Sequence, residues 1–213
     1  MSSVSAKATT PTAANQNRQA ANRPSAEEAK EAVRVLIRWA GDNPSREGLI
    51  DTPERVIEAY REFYAGYDED PEAVLAKTFE EVAGYDEVVL LKNMEFESHC
   101  EHHMVPIIGR AHIAYLPDKK VVGISKLARL LDVFAKRLQT QELMTQQITD
   151  TIERVLKPRG VAVIIDANHE CMSTRGVHKK NSTTITTQMR GAFKTDKDAR
   201  AEIMRLIASS DIG

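Results

Sequence analysis

The chain has 213 residues, which is the length of one large domain or of a domain with an appended arm. Its 29 basic and 31 acidic residues nearly cancel, so the charge gives no support for a nucleic-acid-binding or membrane-surface protein. No apolar run approaches the roughly 20 residues that a membrane-spanning helix needs, and we expect a cytoplasmic protein.

The first 25 residues differ in composition from the rest of the chain. They are rich in Ala, Ser, Thr, Asn and Gln, and they contain no aromatic residue and a single valine. Such a segment cannot bury enough apolar surface to offset the entropy lost on ordering, and it lacks the apolar core of a secretory signal. We expect a disordered N-terminal arm over residues 1–25, an N-terminal helical segment over 26–68 and the main domain over 69–213.

Two helices are predicted in the N-terminal segment. The first begins with the capping-box pattern Ser25-Ala-Glu-Glu28, keeps apolar residues on one face and ends at Gly41. The second begins at Asp51-Thr52-Pro53, where a capping residue precedes a proline suited to the first helical position, and it runs to about Ala65.

The remaining pattern predicts two strands, two helices, two strands and a last helix. The third predicted strand is extended through His169 as far as Cys171. This order is typical of an α+β domain with helices on one face of an antiparallel sheet. The predicted strands are Glu87–His99, Arg110–Leu116, Val161–Cys171 and Ser182–Met189; the helices carry Leu127 to Leu138, Met144 to Val155 and Asp198 to Ile207.

The two cysteines of the chain both lie close to histidine. Cys100 opens a Cys-Glu-His-His run that ends at His103, and Cys171 follows two residues after His169. Thiolate and imidazole are preferred zinc ligands, and a catalytic zinc site uses three protein ligands and an open position. Cys100, His103 and Cys171 would supply that set. His102 and His169 would then be free for proton transfer; on a strand, His169 and Cys171 would share a face.

Two alternatives stay open on these residues alone. Cys100 and Cys171 could form a disulfide, although the chain shows no export signal and disulfides are rare in the reducing cytosol. A structural zinc site normally has four protein ligands, and His99 or His169 could be the fourth.

Basic residues near these motifs predict a polyphosphate site. Ser125 is a candidate helix cap, and Lys126 and Arg129 are placed in the first turn, where the helix dipole disfavours cations but the free N–H groups favour a phosphate. Arg175 lies just beyond Cys171, and the Gln141–Glu142 pair brings a carboxylate to the start of the next helix. Each of these charges alone could simply keep the surface soluble. Together they predict a pocket with a metal, two histidines that do not bind it, several cations and one acid.

These motifs closely resemble the signatures of the type I GTP cyclohydrolases. The resemblance runs from about Ala26 to the C-terminus and leaves out the N-terminal arm. It implies the tunnelling fold, in which two helices back a four-stranded antiparallel sheet, with N-terminal helices and a toroidal homodecamer whose active sites lie at subunit junctions. The matching motifs are Asp51-Thr-Pro-Glu-Arg55, Cys100-Glu-His-His103, Gly123-Ile-Ser-Lys126 with Arg129, Gln141-Glu142, and His169-Glu-Cys-Met-Ser-Thr-Arg-Gly176.

The resemblance also implies a reaction: GTP and water give 7,8-dihydroneopterin triphosphate and formate, the first step of pterin and folate biosynthesis. Relatives of this fold carry out carboxy-pterin synthesis or nitrile reduction, but the intact metal set with Lys126, Glu142 and Arg175 argues against both. The implied zinc ligands are Cys100, His103 and Cys171, and the implied proton-transfer residues are His102 and His169. Glu142 would hold the guanine edge, Ser125 would contact the base or sugar, and Gln141 is a further substrate-binding residue. Triphosphate binding is implied for Arg55, Lys126, Arg129 and Arg175.

Overall fold

The computed structural model describes residues 23–79 and 85–209. The expected disordered arm therefore lies outside the described residues, except for the exposed stretch 23–25 before the first helix. In the described part of the chain, no helix is both long enough and apolar enough to cross a membrane. The chain divides into two compact units after Glu62, and the predicted boundary at residues 68 and 69 stays a prediction.

Two helices make up the described part of the first unit, α1 (Ala26–Trp39) and α2 (Thr52–Phe63), whose last residue falls in the second unit. The predicted capping box is confirmed: the Ser25 hydroxyl accepts the Glu28 N–H at 3.2 Å, and the Glu28 carboxylate accepts the Ser25 N–H at 2.8 Å. Lys30 forms ion pairs with Glu27 on its own helix and with Glu54 on α2. The two predicted helices are thus joined by a shared cation.

The second unit is a mixed α+β domain that begins with a 3₁₀ helix, Ala65–Asp68. Its helices are α3 (Pro71–Leu75), α4 (Ile124–Ala135), α5 (Gln141–Leu156), α6 (Glu170–Ser173), α7 (Ala192–Thr195) and α8 (Lys197–Ala208). Its strands are β1 (Thr78–Phe79), β2 (Val89–Cys100), β3 (Pro106–Leu116), β4 (Val121–Val122), β5 (Leu138–Gln139), β6 (Gly160–His169) and β7 (Thr184–Gly191).

The main sheet has the strand order β5-β2-β3-β6-β7, and a separate pair joins β1 to β4. The prediction of four antiparallel strands is therefore corrected to five, because β5 adds a parallel edge strand beside the end of β2. The sequence predicts Leu138 at the end of a helix, but α4 ends at Ala135 and Leu138 belongs to β5. The buried Arg137 side chain donates to the carbonyls of Gly66 and Glu69, at 2.9 and 3.3 Å.

Strand β6 has apolar residues on both faces because both faces are covered. Val163 and Ile165 belong to the core formed with α4 and α5, whereas Ile164 packs with Phe193 of α7 and Ile203 of α8. The expectation that helices cover one face holds for α4 and α5 but omits this second, smaller cluster. The larger core takes Leu127, Leu130, Leu131 and Phe134 from α4 and Met144, Ile148, Ile152 and Leu156 from α5.

The predicted extension of β6 to Cys171 is wrong. The strand ends at His169, and α6 forms a single helical turn closed by the bond from the Thr174 N–H to the Glu170 carbonyl, at 3.0 Å. The hydroxyls of Ser173 and Thr174 also donate to Glu170, and such local bonds favour a turn over an extended strand. His169 and Cys171 therefore do not share a strand face.

Gly109 permits the close pairing of β3 with β6. A Cβ at this position would overlap the carbonyl oxygen of Asp166 and lie 2.5 Å from the Cβ of Ala167. We predict that Gly109→Ala lowers the free energy of unfolding by about 1–3 kcal/mol, because a central strand must shift to accept the methyl group. The measurement is urea denaturation at one fixed protein concentration.

The matched control for this change is Gly123→Ala. No heavy atom lies within 4 Å of a Cβ at Gly123, and its φ of −58° is open to any residue. Gly123→Ala should lower the free energy of unfolding by no more than about 1 kcal/mol, the scale of a helix-cap change. Equal losses at both glycines would contradict the proposed overlap.

Candidate metal centre

A tight turn at the end of β2 presents the Cys-Glu-His-His run. The Cys100 N–H donates to the Val105 carbonyl at 2.9 Å, and the Met104 N–H donates to the Cys100 carbonyl at 2.8 Å. The Glu101 N–H donates to the carbonyl of Gln139 on β5 at 3.0 Å, so the edge strand also holds the turn. The turn keeps Cys100 buried and leaves His102 and His103 exposed.

Cys100, His103 and Cys171 come together in the folded chain. One ligand atom from each lies within 4.8 Å of the other two, and among the described residues this is the group of His, Cys, Asp and Glu that can hold a metal ion. Ligand atoms of a tetrahedral site with bonds of about 2.0–2.3 Å are about 3–4 Å apart, so small side-chain adjustments would complete the coordination. His103 is the exposed member of the set, whereas Cys100 is buried and Cys171 is half-buried.

The two alternative readings of this site lose support. Both cysteines are free, and neither His99 nor His169 belongs to the three-residue group. His99 is buried, with its ring centre 4.6 Å from that of Phe63 and 5.5 Å from that of Tyr64. Burial lowers the pKa of His99, against an opposing effect of the Glu97 carboxylate.

Electrostatics at the thiols favour a bound cation. Burial raises the pKa of the Cys171 thiol, and the neighbouring Cys100 raises it further, while Arg175 acts in the opposite direction. The Cys171 thiol therefore resists ionisation in the metal-free chain, and a bound metal ion would reverse that balance.

Two further predicted residues adjoin this cluster. His102 Nδ1 lies 3.7 Å from the Cys100 sulfur, and two thirds of the His102 side chain is exposed. The Arg175 guanidinium lies 2.8 Å from His103 Nε2. Because a guanidinium only donates, this contact uses the lone pair of His103 that a bound metal ion would take in its place. The arrangement sets an exposed cation directly beside the metal-binding residues.

His169 contacts the side chain of Gln141. His169 ends β6, Gln141 opens α5, and His169 Nε2 lies 2.8 Å from Gln141 Oε1. Burial lowers the pKa of His169, and the charge of Glu142 acts in the opposite direction, which places that carboxylate in the same neighbourhood. Sequence reasoning grouped Gln141 with substrate-binding residues and missed this partner, because the two residues meet only when α5 packs on β6.

The remaining predicted residues lie outside this set of contacts. Gly123 is the N-cap of α4, so the prediction of Ser125 as a cap is wrong: the helix begins at Ile124 and encloses Ser125 in its first turn. Arg129 lies in the second turn rather than the first.

Arg55 lies in the first unit, where its side chain is exposed and forms an ion pair with Asp51 at 3.2 Å. Within the described residues, no hydrogen bond joins Ser125, Lys126 or Arg129 to the metal-binding cluster, and their substrate contacts stay predictions.

The family model described as GTP cyclohydrolase I matches residues 29–208. The chain belongs to the GTP cyclohydrolase I family. It is 57% identical over 200 residues to GTP cyclohydrolase 1 of Maricaulis maris, covering 94% of this chain and 98% of that protein. It is 60% identical over 184 residues to GTP cyclohydrolase 1 of Hyphomonas neptunium, covering 86% and 89%. The protein of that name from Brucella anthropi is 58% identical over 184 residues, covering 86% of each chain.

Met104 closes the metal-binding turn of this family member in a left-handed backbone conformation, with φ at 55°. Asparagine tolerates that region, whereas a β-branched residue is strained there by about 1–3 kcal/mol. We predict that Met104→Ile weakens metal binding by about tenfold as the turn relaxes, while Met104→Asn binds like the wild type. A Co²⁺ titration followed by thiolate-to-cobalt absorbance measures both. Equal affinity in the two variants would show that the turn does not position the ligands.

Proposed function

We propose that this member of the GTP cyclohydrolase I family converts GTP and water to 7,8-dihydroneopterin triphosphate and formate, the first step of pterin and folate biosynthesis. The observation that carries the proposal is the three-residue metal-binding group with His102 and Arg175 at its edge. Relatives that bear this enzyme name align over most of both chains, which supports the same chemistry here.

We propose zinc as the metal of the Cys100, His103 and Cys171 group, because two thiolates and one imidazole with an open side are the ligands of a catalytic zinc site. Zinc held there would supply activated water at neutral pH, since it lowers the pKa of water from about 15.7 to about 7. His102 and His169 would move protons, one of them donating to N7 of the purine as the imidazole ring opens. Histidine suits that task because its ordinary pKa lies near neutrality.

Glu142 is the proposed partner of the guanine edge. Guanine offers two adjacent donors, N1–H and the 2-amino group, and an ionised carboxylate has two acceptor oxygens to receive them. Glu142 is exposed in the first turn of α5, directly after the residue that contacts His169. Base recognition and proton transfer would therefore occur side by side, with Gln141 between them.

The triphosphate is assigned to Arg175, Lys126, Arg129 and Arg55. The exposed guanidinium of Arg175 lies beside the metal group, and α4 has no acidic residue in its first turn, where free N–H groups favour an anion. Some of these cations would act from a neighbouring subunit.

We also propose the tunnelling fold and a toroidal homodecamer with active sites at subunit junctions. Two apolar side chains of α1 support assembly, since Trp39 is 86% and Leu36 is 62% exposed in the described chain. Analytical ultracentrifugation measures the assembly.

One assay tests the proposed activity. Zinc-loaded protein is incubated with GTP, formate is quantified, and the product is oxidised and examined for neopterin fluorescence. Equimolar formate and neopterin are expected. Consumption of GTP without formate would overturn the proposal, and GTP left intact by zinc-loaded protein would overturn it as well.

The zinc assignment predicts about one zinc ion per subunit and its loss in Cys171→Ser, because a serine hydroxyl is a poor replacement for a thiolate ligand. The variant should stay folded, since Cys171 only packs against the edge of the larger core. Metal analysis and circular dichroism measure the two properties. Met172→Leu, at an exposed position on the same helical turn, is the matched control and should keep its zinc.

Two outcomes would contradict this assignment. Stoichiometric zinc in an active Cys171→Ser protein would remove Cys171 from the site. Unfolding of the wild-type protein by a chelator would support a structural zinc ion instead of a catalytic one.

The guanine-edge role predicts that Glu142→Gln lowers kcat/KM for GTP by at least about tenfold. The new NH₂ group would face a donor, and a buried donor without a partner costs about 1–3 kcal/mol. The ratio of kcat/KM for GTP to kcat/KM for ITP, which lacks the 2-amino group, should also fall. Steady-state kinetics with both nucleotides measure the effect, with Glu153→Gln on the same helix as control. An unchanged GTP/ITP ratio with unchanged GTP turnover would exclude this role.

A further inference from the structure

We propose that Gln141 is a positioning residue for His169, holding the imidazole in one orientation and one tautomer, with the proton on Nε2 and Nδ1 as the proton-accepting atom. The catalytic meaning of this tautomer rests on the proposed function, because His169 transfers protons only if that function holds. The arrangement itself rests on the hydrogen bonds of two buried or half-buried side chains.

The orientation of the Gln141 amide is determined by its surroundings. Its Nε2 lies 3.0 Å from the Ile165 carbonyl, 2.8 Å from the Thr184 carbonyl and 3.1 Å from the Thr186 hydroxyl. The two carbonyl oxygens can only accept, so the NH₂ group must face them; the reversed amide would set an oxygen against both. Gln141 is fully buried, and its side chain has no alternative orientation toward solvent.

This orientation decides the tautomer of His169. With the NH₂ group directed at β6 and β7, the atom that faces His169 is Oε1, at 2.8 Å from Nε2. Oε1 only accepts, so His169 Nε2 carries the hydrogen. A neutral imidazole has one N–H, which leaves the lone pair on Nδ1. A proton that His169 accepts during a reaction is therefore received at Nδ1.

A second pair of contacts makes this arrangement stiff. The Thr145 hydroxyl lies 2.7 Å from the Gln141 carbonyl and 2.6 Å from the Thr186 hydroxyl, so backbone and side chain of Gln141 are both tied to the sheet. Every polar atom of the amide has a partner inside the protein, which makes the network rigid rather than costly. Glu142 follows in the same helical turn, so the proposed contacts to guanine and the proton-transferring ring share one support.

Two substitutions at Gln141 separate positioning from mere packing. Gln141→Met keeps the volume with a flexible apolar chain and removes the acceptor. Gln141→Glu keeps an acceptor for the Nε2 hydrogen but loses the donors to the sheet. Thr151→Val is the matched control, since Thr151 is buried on the same helix and, within residues 23–79 and 85–209, its hydroxyl bonds only to the Gln147 carbonyl.

The first readout is the tautomer itself, which does not depend on the reaction. Solid-state ¹⁵N NMR of zinc-loaded, histidine-labelled protein distinguishes protonated from unprotonated ring nitrogens, and the signals absent from His169→Asn belong to His169. We expect one tautomer with a protonated Nε2 in the wild type, in Gln141→Glu and in Thr151→Val. We expect that preference to be lost in Gln141→Met. A wild-type His169 with a protonated Nδ1, or an unchanged tautomer in Gln141→Met, overturns the proposal.

The second readout is the division of the kinetic effect between kcat and KM for GTP. Misplacing a reacting group costs up to about 100-fold, so Gln141→Met should lose about 10–100-fold in kcat with KM and zinc content unchanged. Gln141→Glu should retain a larger share of kcat than Gln141→Met, and Thr151→Val should retain all of it. A raised KM with unchanged kcat would make Gln141 a substrate contact. Equal losses of kcat in both Gln141 variants would show that Gln141 only stabilises the packing of α5 on the sheet, which would overturn the positioning role.

The two proposals fail in different ways. If the wild-type protein forms no formate from GTP, the proposed function is wrong, and the NMR result still decides whether Gln141 sets the tautomer of His169. If formate is formed and the tautomer does not respond to Gln141→Met, the positioning role alone is wrong.

Discussion

The site depends on the way β3 pairs with strands on both sides. β2 and β6 both run antiparallel to β3, so they run parallel to each other and their C-terminal residues lie side by side, flanking the start of β3. His99 pairs with Pro106 at that edge, and Ile107 pairs with His169. Cys100 and Cys171, far apart in sequence, are brought together by this register. A shift of one residue in either ladder would turn alternate side chains to the opposite face and separate the ligands.

The sequence predicts best where one interaction dominates locally. The start of α1 follows from Ser25 and Glu28 because a capping box is complete within four residues. The candidate metal group follows from residue type, since thiolate and imidazole are preferred zinc ligands. Helices α4 and α5 follow from apolar spacing, because each covers the sheet with one face.

The features that escaped prediction depend on contacts between distant segments. β5 has two residues, too few for an alternating pattern, and it is recognised only by its pairing with His99 and Cys100 at the end of β2. The turn at α6 depends on hydroxyl bonds to Glu170 that compete with an extended strand. The bond between Gln141 and His169 has no local signature, since both residues also suit exposed positions. Composition therefore indicates the chemistry of the site, whereas its geometry follows from packing.

The order of strands also sets when a metal can be captured. Cys100 and Cys171 become neighbours only after β2, β3 and β6 have paired, which closes a loop of about 70 residues, and contacts of such range form late in folding. A nascent chain that has exposed only Cys100 and His103 offers two ligands and holds a metal weakly. Loading of a metal at this group would thus follow native sheet formation rather than guide it. A chain that holds an ion there would already have paired its three central strands.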